Sequence, residues 1–173
     1  MDIYEAVKTR KSVRSYQSRE VPDDVLTRIL DAARLAPSAN NFQEWRFVVV
    51  RDEKTRRKIA KAACRQTFVG EAPVVLACCA KDNRHVMTCG QQSYPIDAAI
   101  AIDHITLCAA AEGLGTCWIG AFYEDEVKQI LGIPPAVRVV ALLPLGYPRD
   151  PKPVRKLRLS LDRIVSYESW QLE

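Results

Sequence analysis

The sequence has 173 residues, of which 48% are hydrophobic and 27% charged, and this composition excludes a disordered or fibrous protein. Its 25 basic and 21 acidic residues leave a net charge of +4, a smaller excess than a dedicated nucleic-acid-binding domain carries. A chain of this length can bury enough surface to fold as one domain, residues 1–173, without disulfides or a structural metal.

Apolar periodicity predicts helices and short strands in irregular alternation. Pro22 suits the first position of a helix, Pro37 ends that helix, and Asp52 is a typical N-cap for the next one. This order of elements predicts an α+β sandwich rather than a doubly wound parallel fold. The predicted elements are helices 2–8, 22–36, 53–63, 96–112 and 124–131, and strands 47–50, 74–80, 116–119 and 138–145.

Two segments of the sequence are expected to pack against a surface outside their own core. The helix 96–112 is apolar nearly all round, which indicates burial against a sheet or a partner subunit. Residues 147–173 contain several prolines and then a basic stretch, and they lack the pattern of a core of their own. We therefore expect this C-terminal tail to lie along another surface and the chain to dimerise.

The cysteines and the first residues predict the cellular setting. Four of the six cysteines lie in apolar or alanine-rich stretches and are interpreted as buried thiols rather than a disulfide framework. They are Cys64, Cys78, Cys79 and Cys108. His85 and Cys89, four residues apart, are two ligands without a third and therefore a weak metal signal. The chain begins with a charged amphipathic segment, and no apolar run is long enough to span a bilayer, so we expect a reduced, cytoplasmic protein.

Basic side chains cluster at both ends of the chain. If the ends meet in space, these side chains and the Ser12 hydroxyl form a pocket suited to a phosphate ester. Either cluster alone could instead be a solvated basic face, and nucleic-acid binding is a further alternative that the lack of interleaved aromatic residues disfavours. The clusters are Lys8, Arg10, Lys11 and Arg14, and Lys152, Arg155, Lys156 and Arg158.

Two further segments could contact a ligand. The small and amide side chains of Pro37–Trp45 could hydrogen-bond a planar polar ring, although alone this segment is an ordinary helix stop and turn. Gly113–Gly120 follows a helix and leads into a strand, the reverse of a dinucleotide fingerprint, and is interpreted as a strand end whose backbone approaches a ligand. The sequence contains no P-loop, no nucleophile elbow and no evident acid–base pair, which indicates that a cofactor supplies the chemistry.

Taken in order, these motifs resemble the nitroreductase family of flavin enzymes. The resemblance rests on Arg10–Arg14, Ala36–Trp45, Gly113–Gly120 and Gly146–Pro148 with the basic tail, and it covers nearly the whole chain. It implies a three-layer α+β sandwich with a central mixed, mostly antiparallel sheet. It also implies an intertwined homodimer, with two FMN molecules at the interface and the tail 147–173 packed on the partner subunit.

The activity implied by the resemblance is that of an FMN-dependent NAD(P)H oxidoreductase. By ping-pong turnover it would reduce a nitroaromatic, a quinone or a similar electron-poor acceptor. Reductive dehalogenation, flavin breakdown and a non-catalytic flavin-binding role are the alternatives. Two departures from the family pattern bear on selectivity: Glu44 stands where proline is usual, and Lys11 stands where arginine or histidine is common. We expect Glu44 and the span 81–94 to influence which acceptor is used.

The resemblance also implies which residues contact FMN. The phosphate and ribityl chain would be held by Arg10, Lys11, Ser12, Arg14, Arg155 and Lys156. The isoalloxazine ring would be contacted by Pro37, Ser38, Ala39 and Asn41 of the second copy, by the backbone of Ile119 and Gly120, and by Gln66. No side chain is expected to act as a catalytic acid or base, and no metal is expected.

Overall fold

The computed structural model describes residues 1–81 and 84–172, and Asp82, Asn83 and Glu173 lie outside the described residues. Short helical turns of the 3-10 type lie at Ala39–Asn41 and Leu161–Arg163. The helices are α1 (Ile3–Thr9), α2 (Asp23–Arg34), α3 (Glu53–Ala62), α4 (Thr67–Glu71), α5 (Ser93–Ala111) and α6 (Glu124–Leu131). The strands are β1 (Trp45–Val50), β2 (Val74–Lys81), β3 (Gly115–Thr116) and β4 (Val137–Gly146).

The four strands form one sheet in the order β1-β2-β4-β3, and each neighbouring pair is antiparallel. The register of β2 against β4 shifts between Cys78 and Cys79, which pair with Ala141 and Val139, so Val140 is the extra residue of a bulge in β4. The N-terminal segment joins the edge through a parallel bridge between Ser12 and Thr116. Within the described residues, this bridge is the parallel component of the expected mixed sheet.

Helices cover both faces of the sheet. The apolar faces of α2 and α5 pack on one side, with Leu76 and Leu143 among the strand residues that they cover. On the other side α3, α4 and α6 pack against residues such as Ala77 and Leu142. Strand β2 is consequently buried on both faces, which explains its continuous apolar sequence. The predicted three-layer α+β sandwich is therefore confirmed.

Local signals fix several element ends. Pro22 is the N-cap of α2, and the Asp52 carboxylate accepts a hydrogen bond of 2.8 Å from the Thr55 N–H at the start of α3. Helix α6 has the predicted bounds and ends at Gly132, whose φ of 65° is a left-handed conformation that glycine adopts without strain. Strand β3 is shorter than predicted, because beyond Thr116 only Ile119 pairs with β4, through an isolated bridge to Leu142.

The cysteine prediction is correct in part. Cys78 and Cys79 are buried in β2, and all six cysteines are free. Cys64 is exposed, so its predicted burial is wrong. The reason is that α3 ends at Ala62, after which Cys64 and Arg65 take positive φ angles of 54° and 58° in the turn that leads to α4.

Candidate functional site

The two ends of the chain run side by side. The Ser15 carbonyl accepts a hydrogen bond from the Arg149 N–H at 3.0 Å, and the Gln17 N–H donates to the Tyr147 carbonyl at 2.9 Å. Further along the tail, the Lys156 ammonium donates to the carbonyl of Val7 at 2.5 Å. The convergence on which a phosphate pocket depends is therefore present within one chain.

The two ends of the chain bring positively charged side chains close together. Burial lowers the pKa of Lys156, and the positive charges of Arg10 and Arg158 lower it further. Among the described residues, no salt bridge neutralises Arg10 or Lys156. A bound anion would relieve this repulsion, so the chemistry of the pocket fits a phosphate group.

The Lys11 ammonium is engaged by backbone carbonyl groups of the tail. It donates to the backbone carbonyls of Asp150, at 3.0 Å, and Lys152. These bonds anchor the beginning of the tail to the N-terminal segment. Ser12, Arg14 and Arg155 are exposed and stand at the same junction of the two ends.

Ser12 and Arg14 lie beside the strand end that was expected to approach a ligand. The Val13 N–H donates to the Thr116 carbonyl at 2.9 Å. Burial raises the pKa of the neighbouring Cys117 thiol, while Arg14, a hydrogen bond with Ser12 and Arg10 act to lower it. Because Ser12 also pairs with Thr116, the N-terminal basic segment lies beside the strand end that leads to Ile119 and Gly120.

The backbone at Ile119 and Gly120 is fixed on one side and open on the other. Ile119 exchanges two hydrogen bonds with Leu142, at 2.9 and 3.0 Å. A Cβ atom added to Gly120 would meet no heavy atom within 4 Å, so there is room for a ligand. The Gln66 amide donates to the carbonyls of Ala63, at 3.0 Å, and Ala121, at 3.2 Å, and this holds it next to Gly120.

The Ser38 turn is built from unusual backbone. Asn40, Asn41 and Gln43 have positive φ angles of 47°, 55° and 52°, which non-glycine residues rarely adopt. The turn is held by a 3.0 Å bond from the Gln43 N–H to the Ser38 hydroxyl. It is also held by a 3.0 Å bond from the Ala39 N–H to the buried carboxylate of Asp97 on α5.

One chain does not bring this turn to the basic pocket. Asp97 lies near the start of α5, whereas Ala109 lies near its end, where its carbonyl accepts a hydrogen bond from Leu114 just before β3. At a rise of about 1.5 Å per residue, the two points are separated by about 18 Å along the helix axis. Pro37, Ser38, Ala39 and Asn41 are therefore at the opposite end of α5 from Ser12, which pairs with Thr116 of β3.

Two contacts at the turn were not predicted from the sequence. Asp97, which interrupts the apolar sequence of α5, is the acceptor that holds Ala39. Phe42 and His85 pack edge to face, with ring centroids 5.0 Å apart. A carboxylate within a buried apolar helix is the signal that could have identified Asp97, because such a group requires a partner.

A cleft lies elsewhere in the fold. It has a volume of about 1470 Å³ and runs between the segment 16–21 and helices α3 and α4. None of the residues expected to contact FMN lines it. In the described part of the chain, no helix is long and apolar enough to cross a bilayer, and no group of three or more candidate ligands could hold a metal ion.

Comparison with known proteins identifies the family. The model of the nitroreductase family matches residues 7–83 and 61–147, which together cover most of the chain. The chain belongs to the nitroreductase family. The sequence resemblance is thereby confirmed.

Individual nitroreductase-family proteins match over most of their length. A protein of Methanothermobacter thermautotrophicus with "NADH dehydrogenase/NAD(P)H nitroreductase" in its name is 38% identical over 175 residues, covering 98% of this chain and 88% of its own. The FMN reductase [NAD(P)H] of Bacillus subtilis is 30% identical over 186 residues, covering 98% of this chain and 74% of its own. The crystal structure of a nitroreductase family protein from Clostridium difficile 630 superposes with a TM-score of 0.89 at 31% identity, covering 98% of this chain and all of the other.

Proposed function

We propose that this chain transfers electrons from NAD(P)H, through FMN and by ping-pong turnover, to a nitroaromatic, quinone or similar electron-poor acceptor. Membership of the nitroreductase family makes it an FMN-dependent NAD(P)H oxidoreductase. The observation that carries the proposal is the convergence of Arg10 and Lys156, from opposite ends of the chain, into one cationic pocket.

The phosphate of FMN fits this pocket. Arg10 and Lys156, with Arg14 and Arg155, would supply positive charge, and the Ser12 hydroxyl would supply a neutral donor. Lys11 would act by holding the tail in place, because its ammonium is engaged by the carbonyls of Asp150 and Lys152.

The flavin ring would lie against the strand end of the same chain and the Ser38 turn of a second copy. Gln66, Ile119 and Gly120 would contact the ring from one chain, since Gln66 is bonded to the Ala121 carbonyl and Gly120 leaves space for a ligand. Pro37, Ser38, Ala39 and Asn41 lie at the far end of α5 from Ser12, so we expect them to contact the ligand held by the second copy. A homodimer would bring both halves together at each of two sites.

Exposed apolar residues support this dimer and a tail packed on the partner subunit. In α1, Ile3, Tyr4 and Val7 are 60%, 76% and 51% exposed. The tail exposes a larger set of hydrophobic residues, and such an area on a monomer usually marks an interface. They are Val154, Leu157, Leu159, Leu161, Ile164, Val165, Tyr167 and Trp170.

When bound, FMN would supply the two-electron relay by which NAD(P)H, a proton and a quinone become NAD(P)⁺ and hydroquinone. The chain would contribute binding, orientation and the exclusion of water. The six free cysteines support the expectation of a reducing, cytoplasmic location.

The visible spectrum of the purified protein tests the proposal. A protein that is colourless and remains so after addition of FMN would refute it. The Arg10→Ala variant should bind FMN about 10- to 150-fold more weakly, the loss expected when a charge-assisted phosphate contact is removed. Arg34→Ala, which removes an exposed partner of Asp31, serves as the control with unchanged affinity. Sedimentation as a folded monomer in the presence of FMN would contradict the dimer.

Flavin breakdown is the second candidate function. A relative named 5,6-dimethylbenzimidazole synthase, from Rhodospirillum rubrum, is 31% identical over 176 residues, covering 86% of this chain and 82% of its own. Product analysis after incubation with FMN, NAD(P)H and oxygen would separate this chemistry from acceptor reduction. Rapid-mixing measurement of FMN reduction by NAD(P)H would separate both from a non-catalytic flavin-binding role.

A further inference from the structure

Phe42 presents an aromatic ring beside the Ser38 turn. It directly follows the 3-10 turn Ala39–Asn41, and its side chain is 43% exposed although it is strongly hydrophobic. The residues on either side of it, Asn41 and Gln43, have left-handed backbone conformations. Such strain persists only where surrounding contacts impose it, and it concentrates at ligand-binding and active sites.

His85 fixes the orientation of this ring. The two rings meet at an interplanar angle of 68°, the edge-to-face geometry that aromatic pairs favour. The His85 carbonyl accepts a 3.2 Å hydrogen bond from Ser93, the first residue of α5. His85 is therefore tied to the same helix that holds the Ser38 turn through Asp97.

The segment 84–92, which carries His85, folds back on itself through backbone pairing. Val86 and Gln92 form an antiparallel bridge, and the Met87 N–H donates to the Gln91 carbonyl at 2.8 Å. Gly90, with a φ of 87°, permits the tight turn between them. The contact between Phe42 and His85 therefore joins two segments that are each held by hydrogen bonds of their own.

We propose that Phe42, oriented by His85, is a specificity-determining residue that favours acceptors with a flat aromatic or quinonoid ring. This inference rests on the proposed function, in which the Ser38 turn contacts the flavin where the acceptor must approach. A planar ring gains contact area and a favourable electrostatic arrangement against Phe42, whereas a compact inorganic ion does not. The electron balance is that of the proposed reaction: NAD(P)H supplies two electrons, and the quinone takes them up with two protons.

The test compares two acceptors on each variant. For Phe42→Ala we expect the KM for 1,4-naphthoquinone to rise roughly two- to tenfold, the factor expected for loss of one aromatic contact, while the KM for ferricyanide is unchanged. Phe42→Tyr should retain most of the naphthoquinone preference. His85→Ala should give a smaller rise than Phe42→Ala, and His85→Phe, which keeps a ring, should restore the KM.

A binding measurement provides a readout besides turnover. Calorimetric titration of the FMN-loaded protein with benzamide, a ring that is not reduced, should show weaker binding in Phe42→Ala by a similar factor. Val49→Ala, at a 39% exposed position on β1, is the control and should leave both KM values and benzamide binding unchanged.

Three results would overturn the inference. They are equal changes for naphthoquinone and ferricyanide, unchanged values for both, and dissociation of the dimer in Phe42→Ala, which would make Phe42 an interface residue. Failure of the proposed function is distinguishable, because the wild-type protein would then not bind FMN or would not be reduced by NAD(P)H.

Discussion

Gly115 lies where the N-terminal segment that carries Ser12 passes closest to β3, and Gly115→Ala would disturb that contact. A Cβ atom at this position would stand 2.3 Å from Val13 Cγ2 and 2.8 Å from Val13 Cβ. Rotation of the valine cannot remove the second clash, because the Cβ position is set by the backbone. The two segments would have to separate, which would weaken the 2.9 Å hydrogen bond from Val13 to Thr116.

The cost of Gly115→Ala can be worked from these contacts. Overpacking of a buried site costs about 1–3 kcal/mol, and a weakened hydrogen bond adds up to about 1 kcal/mol. We therefore expect the free energy of unfolding to fall by about 1–4 kcal/mol. Because Arg10, Ser12 and Arg14 belong to the displaced segment, the affinity for FMN should fall as well.

A double-mutant cycle with Val13→Ala tests the cause. Val13→Ala alone removes two buried methyl groups and should cost about 1.5 kcal/mol. Since it also removes the Cγ atoms that clash, the double variant should be more stable than the sum of the single effects by about 1 kcal/mol or more. Urea unfolding of the FMN-free proteins at one protein concentration gives these values. Additive effects, or a Gly115→Ala variant as stable as the wild type, would refute the reasoning.

Two further predictions concern buried or half-buried carboxylates. Although burial acts to raise it, hydrogen bonds from Arg138, the Val139 N–H and Lys128 lower the pKa of Glu124 to about 2. This carboxylate therefore stabilises the fold at neutral pH, and its contribution is lost as the pH falls from about 5 towards 2. Glu124→Gln should lower the free energy of unfolding at pH 7 by about 1–3 kcal/mol. It should also make this free energy depend less on pH below about 5, and an unchanged dependence on pH would contradict the prediction. Asp97→Ala should lower the free energy of unfolding by about 1–3 kcal/mol, because it leaves the Ala39 N–H without its acceptor. Asp97→Asn should recover part of this loss. An Asp97→Ala variant as stable as the wild type in urea would count against the contact.

The sequence determined features that depend on near neighbours in the chain. Helix α2 follows from Pro22 and the spacing of its apolar residues, and α6 follows from its periodicity and Gly132. The apolar run 74–80 predicted a strand, which is β2. Caps and periodicities act over about one helical turn or one strand, so they can be read from the local sequence.

Which of these elements share a site depends on how distant segments pack together. The bond from Lys11 to the carbonyl of Asp150 joins residues 139 positions apart, and the bond from Ala39 to Asp97 joins residues 58 positions apart. Neither leaves a periodic signal, because the acceptor of a backbone N–H or an ammonium is set by how distant segments pack. For the same reason, the local sequence does not predict the left-handed conformation of Asn41 or the ring contact between Phe42 and His85. Both depend on how α5 and the segment 84–92 pack around the turn.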